Sequence, residues 1–220
     1  MLSIKTTAFY ISLIFISLSL SSCKNLTGDS GNISESLDPV ENVVAVAGAE
    51  STTLLVKKGS EAYFSLEFSG MNQNDVIQNG FIGDGWCIDW QKPIDSNNGV
   101  YDGIQLYSTF NVEKWNPLNY LFNIMDNLKQ ADPDLTYREF QAVVWSMRGF
   151  PEFNLEALSD EELPSRLRTD GQANFSREKV NTILEIVEAG YRDFEFTEGT
   201  KFAVIAETPA DVQTVITVVE

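Results

Sequence analysis

Apolar and polar side chains alternate along the front half of the chain, the pattern of strands with one face buried. In residues 62–68 (AYFSLEF), Phe64, Leu66 and Phe68 share one face, and Ser65 and Glu67 the other. Residues 52–59 (TTLLVKKG) supply a partner strand, with Gly59-Ser60 as the turn between them. Residues 75–90 (DVIQNGFIGDGWCIDW) predict a further strand pair broken at Asn79-Gly80, a turn dipeptide. Ile104, Leu106 and Phe110 alternate with Gln105 and Thr109 and predict one more strand.

The period then changes from 2 to 3.6. Asn116 is placed to cap a helix and Pro117 to begin it. Leu118, Leu121, Phe122, Met125 and Leu128 form its apolar stripe. A second helix opens at Thr136, which with Glu139 makes a capping box, and buries Phe140, Val143, Val144 and Met147. A third runs from its cap Ser176 through Val180, Ile183, Leu184 and Val187 to Gly190. Residues 149–171 are poorly periodic and read as a loop with a short helical turn. The tail returns to strands: TKFAVIAE and DVQTVITVVE form a hairpin with Pro209 in the turn. Strands, then helices, then strands predict an α+β fold, an antiparallel sheet or β-sandwich with an inserted part of about three helices.

The N-terminal residues carry no such pattern. Lys5 is followed by an apolar run over 8–20, short for a bilayer span, and then by Leu20-Ser21-Ser22-Cys23. This end resembles the lipobox of bacterial lipoproteins, which implies a signal peptide over 1–22 and lipidation of Cys23. The other reading of the run is an uncleaved anchor helix. Residues 23–42 then make the lipidated Cys and a polar, flexible linker, and 43–220 the folded domain. The expected location is the cell envelope, lipid-anchored on a membrane surface facing outward or in the periplasm.

Fifteen basic against 32 acidic side chains give a net charge of −17. That argues against nucleic acid and anionic lipid head groups as partners, and for a monomer whose copies repel one another. The chain has no His, which removes Ser-His-Asp triads, Cys-His pairs and His-ligated zinc. Past Cys23 there is one cysteine, Cys87, so the domain cannot close a disulfide within itself. Asp95, Asn97, Asn98 and Asp102 have the oxygens of a calcium loop, but their spacing misses the EF-hand pattern and fits a solvated turn.

Cys87 sits in Trp86-Cys87-Ile88-Asp89, and on the second helix Gln141 and Trp145 share a face with Tyr137 and Arg148. Trp86-Cys87-Ile88-Asp89 resembles the aromatic-Cys-aliphatic-acid motif of bacterial thioester domains. FQAVVW (residues 140–145) resembles the Thr-Gln-x-Ala-Ile-Trp motif of the TQXA group of surface adhesins. KWNPLNYLFNIMDNL is similar to the Asn-Tyr-rich helix between the two motifs, and KFAVIAETPADVQTVITVVE to the closing hairpin. Phe140 stands where the family has Thr, Val143 where it has Ala, and Trp86 where Tyr, Phe or Leu is commoner.

The resemblance implies a bond between the Cys87 sulfur and the side-chain carbonyl of Gln141, made with loss of ammonia. It implies a partner bearing an amine, on a protein of another surface or on a small molecule, bound covalently in an adhesin-like role. Asp89 is the candidate base, Tyr137 or a backbone N–H near Cys87 the candidate oxyanion donor, and Trp145 a supporting aromatic. Such a domain reacts once per molecule and is not an enzyme; it takes no cofactor and no metal. The other reading is a non-covalent binding or structural module, with Cys87 a reduced, buried, small apolar side chain and Gln141 a satisfied amide.

Overall fold

The computed structural model describes residues 43–220. The expected signal peptide, the expected lipidation at Cys23 and the expected linker lie outside them. The described residues form an α+β fold. Strands β1 (Val44–Ala45), β2 (Thr52–Lys58), β3 (Phe64–Ser69), β4 (Ile82–Cys87) and β5 (Asn97–Ser108) come first. Helices α1 (Asn116–Ala131) and α2 (Tyr137–Arg148) follow, then a small hairpin of β6 (Arg168–Thr169) and β7 (Gln172–Ala173). Helix α3 (Arg177–Gly190) precedes the closing strands β8 (Phe202–Glu207) and β9 (Val215–Val219).

The main sheet is antiparallel, in the order β1-β5-β2-β3-β4-β9-β8, and β8 pairs back onto β5. Six strands therefore close into a barrel-like sheet rather than the two faces of a sandwich, which leaves none of the six with an open edge. Alternation on β2 and β3 buries Leu54, Val56, Phe64, Leu66 and Phe68. Strand β8 is buried almost throughout, because α1 also packs against it. Asn119 and Asn123 dock α1 there. Buried Asn119 Oδ1 accepts from the Ala203 N–H at 3.0 Å, and Asn123 takes both backbone groups of Lys201, at 2.7 and 2.9 Å.

Four local expectations change. Residues 75–90 give one strand, not a pair: Asn74 Oδ1 accepts from the Val76 and Ile77 N–H groups and Asn79 Oδ1 from that of Met71. These side-chain bonds satisfy backbone groups that a ladder would otherwise use. Strand β5 begins earlier than the alternation indicates and ends at Ser108, so Phe110 leaves the strand and packs on Phe196 and Phe202. Trp115, in a 3-10 turn, occupies the cap position of α1, and Asn116 is its first helical residue. The stretch 149–171 holds two 3-10 turns and the β6–β7 hairpin's first strand. The α2 capping box and the Ser176 cap of α3 stand as expected.

Candidate functional site

Strand β4 ends at Cys87, and α2 packs against it. Two features of β4 bring its backbone close to its neighbours. Gly85 lies where a Cβ would stand 2.4 Å from Leu66 Cγ, so only glycine lets β3 and β4 pair at this register. On the other side Trp86 and Cys87 pair with Ile216 and Val215 of β9. The capping box of α2 fixes where that helix starts, and thereby the turn from which Gln141 projects.

Gln141 reaches across 54 positions of sequence to the backbone of Cys87. The Cys87 N–H donates to Gln141 Oε1 at 3.1 Å, and Gln141 Nε2 donates to the Cys87 carbonyl at 2.8 Å. Both residues are fully buried, as are Ile88, Val144 and Trp145 around them. The packing of β4 against α2 buries Gln141 completely. The thiol of Cys87 is free of any disulfide.

Burial pushes the Cys87 thiol well above its ordinary range, so at neutral pH the sulfur carries its proton. The Trp145 indole N–H, without a hydrogen-bond partner of good geometry, lies near enough to the sulfur to pull the other way. The negative charge of Asp89 reinforces the upward shift, and the Arg166 guanidinium opposes it.

Asp89 is also fully buried, two residues past the thiol. Its Oδ2 accepts from the Thr214 N–H at 2.6 Å, and its Oδ1 stands 3.5 Å from Lys92 Nζ. Burial raises its carboxyl above the ordinary value, while the Thr214 bond and the Lys92 charge hold it down. Backbone bonds from Ile88 N–H to the Thr214 carbonyl (3.1 Å) and from Phe150 N–H to the Ile88 carbonyl (2.7 Å) clamp the segment between β9 and the end of α2.

Tyr137 is half-buried one turn before Gln141, its ring 6.2 Å from that of Tyr63, with the Arg166 guanidinium 5.1 Å from its centroid. Arg148 points elsewhere, over the Trp115 ring at 4.3 Å. Trp86 and Phe140 meet edge to face with centroids 6.5 Å apart. Phe140 thus fills core space beside Trp86 with a ring that brings no hydroxyl.

Sequence reasoning missed Tyr63 and Arg166. The Tyr63 ring packs edge-on to Trp145 at 5.5 Å, and Arg166 lies over it at 4.3 Å and donates to the Tyr63 carbonyl. Burial raises the Tyr63 phenol, and the Cys87 charge adds to that shift. No spacing links these two positions to the motifs; an aromatic just before β3 and an arginine in a loop were the available signals.

Among the described residues no cluster of His, Cys, Asp and Glu is arranged to hold a metal ion. The arrangement offers a thiol and a carboxamide in a dry niche, a backbone N–H already on the amide oxygen, and a buried carboxylate close by. Comparison with protein families, with curated proteins and with solved structures finds no match to this chain.

Proposed function

We propose that residues 43–220 form a thioester domain on a lipid-anchored surface protein of the bacterial envelope, which captures amine-bearing partners covalently. The observation that carries the proposal is the pair of buried hydrogen bonds joining the Gln141 carboxamide to the Cys87 backbone. They hold the acyl carbon at the residue that bears the sulfur and keep water out, which an acyl group needs if it is not to hydrolyse.

In the first step the Cys87 sulfur attacks the Gln141 side-chain carbon. Charge develops on Oε1, where the Cys87 N–H already donates. The C–N bond breaks, the thiol proton leaves on nitrogen, and ammonia departs. The stored thioester is then opened by an amine: the new C–N bond forms, the C–S bond breaks, and the proton released by the amine returns the sulfur to a thiol. Asp89, with its raised carboxyl, is the base for the incoming ammonium.

Burial of Cys87 alone favours a second reading, a non-covalent surface module whose thiol is a core side chain. Incubation of the purified protein with methylamine, followed by peptide mapping, separates the two. The covalent reading requires methylamide at Gln141 and a thiol at Cys87 that appears only on treatment. An unmodified Gln141 after prolonged incubation contradicts it.

A further inference from the structure

A cleft of about 390 Å³ opens between the start of β3, the loop after β4 and the turn at 164–166, and Tyr63 in its wall packs edge-on to Trp145 at 5.5 Å, while Cys87 and Gln141 are fully buried and do not line it. Its walls include Tyr63 and Arg166, both electrostatically linked to the Cys87 sulfur, and Lys92, the ion partner of Asp89. Lys58, Lys92 and Arg166 all line it, and among the described residues no carboxylate does. In a chain with a net charge of −17 that concentration of positive charge is local and specific. Two buried groups in the wall make no hydrogen bond among the described residues. Gln213 is 7 % exposed and its Oε1 accepts no hydrogen bond; Lys92 Nζ is buried and donates none, its contact with Asp89 being an ion pair at 3.5 Å. Lys58, at the end of β2, is exposed.

These groups set conflicting terms for an arriving amine. A bare ammonium meets three positive side chains and is repelled. The same charges favour the neutral, nucleophilic form of an amine once it is inside. Gln213 Oε1 is an acceptor for its N–H. A negative group on the amine's carrier removes the conflict by pairing with the cations at the mouth.

We propose that this cleft is the docking site for the covalent partner and selects a lysine that has carboxylates beside it in an acidic peptide segment. The proposal rests on the thioester reading for the fate of the lysine, but not for the docking itself. Lys58 and Arg166 take the flanking carboxylates, Gln213 orients the amine, and Asp89 behind Lys92 receives its proton.

The test uses the purified full chain and three blocked tripeptides with the same central lysine, flanked by Asp, Ser or Arg. Adduct formation is followed by intact mass. The Asp-flanked peptide is expected to add about tenfold faster than the Ser-flanked one, and the Arg-flanked peptide slowest. The advantage shrinks severalfold in Lys58→Gln, further in Lys58→Glu, and again in 1 M salt, where the Debye length falls to about 3 Å. Equal rates for the three peptides, or a faster Arg-flanked peptide, overturn the docking site while leaving the thioester intact. If no amine adds at all, the thioester reading fails, and non-covalent binding to Cys87→Ala decides the cleft: tighter binding of the Asp-flanked peptide that weakens in Lys58→Glu supports it, and no preference overturns it.

Discussion

The Gln141 side chain closes a two-bond ring on the Cys87 backbone, accepting at 3.1 Å and donating at 2.8 Å, with neither residue exposed to solvent. That geometry makes Gln141 a structural member of the core as well as a candidate acyl donor. Gln141→Ala leaves a buried N–H and a buried C=O without partners, at a cost of about 2–4 kcal/mol. Cys87→Ala keeps both backbone groups paired and removes one sulfur from the core, costing about 1 kcal/mol. Denaturant unfolding should therefore rank Gln141→Ala well below Cys87→Ala; the reverse order would mean that the amide does not carry the contact.

Glu139 ties the starts of two helices together. Its Oε2 accepts from the Thr136 N–H at 2.9 Å and the Thr136 hydroxyl at 2.6 Å, and its Oε1 from the Ser176 N–H at 3.0 Å. Glu139→Ala loses all three and should cost about 2–3 kcal/mol, against about 1 kcal/mol for Thr136→Ala. Chemical denaturation of the two variants checks the difference, and equal losses would place the whole effect in the α2 cap.

Tyr63 predicts how stability responds to alkali. Burial, and then the nearby Cys87 charge, raise its phenol far above the ordinary 10.0. The folded state therefore holds the proton more tightly than the unfolded chain. The stability this supplies is fully present below pH 10 and is lost as the pH rises beyond it. Tyr63→Phe has no proton to lose, so its thermal midpoint should fall less steeply above pH 10 than that of the native protein. Parallel curves would contradict the role of the buried phenol.

Asp89 makes a prediction about rate rather than stability. Asp89→Asn keeps an oxygen for the Thr214 N–H but cannot accept a proton from the amine. Its methylamine addition should slow by about a hundredfold. In the native protein the rate should rise with pH as Asp89 ionises, at a pH above the ordinary 3.8, and that limb should vanish in Asp89→Asn. An unchanged rate would remove Asp89 from the chemistry.

The amide and the thiol were both legible in the sequence, because each sits in a short motif whose period is fixed by its own element. Thr136 and Glu139 announce the start of α2, and with it the phase of Gln141. The strands around Phe64 and Thr52 were legible for the same reason. What the pattern could not carry is closure. The pairing of β5 with β8 joins Gln105 to Glu207, and no local signal distinguishes that barrel from an open sandwich. The residues that complete the site suffer from the same distance. Tyr63, Arg166 and the neighbours Gln213 and Thr214 come from three separated places and meet only when β3, β9 and the 164–166 turn are brought around the end of β4. Residues 75–81, expected as the first strand of a pair and its turn, are a loop because backbone N–H groups there and at Met71 go to Asn side chains, which look in sequence like any turn.

The most direct test of the central claim is the intact mass of the untreated protein beside that of Cys87→Ala. A Cys87–Gln141 thioester makes the native chain lighter than its processed sequence by one ammonia, and methylamine then raises the mass by one methylamine and exposes a single thiol. Cys87→Ala keeps its full sequence mass throughout. A native protein at full sequence mass whose mass methylamine does not change would contradict the account.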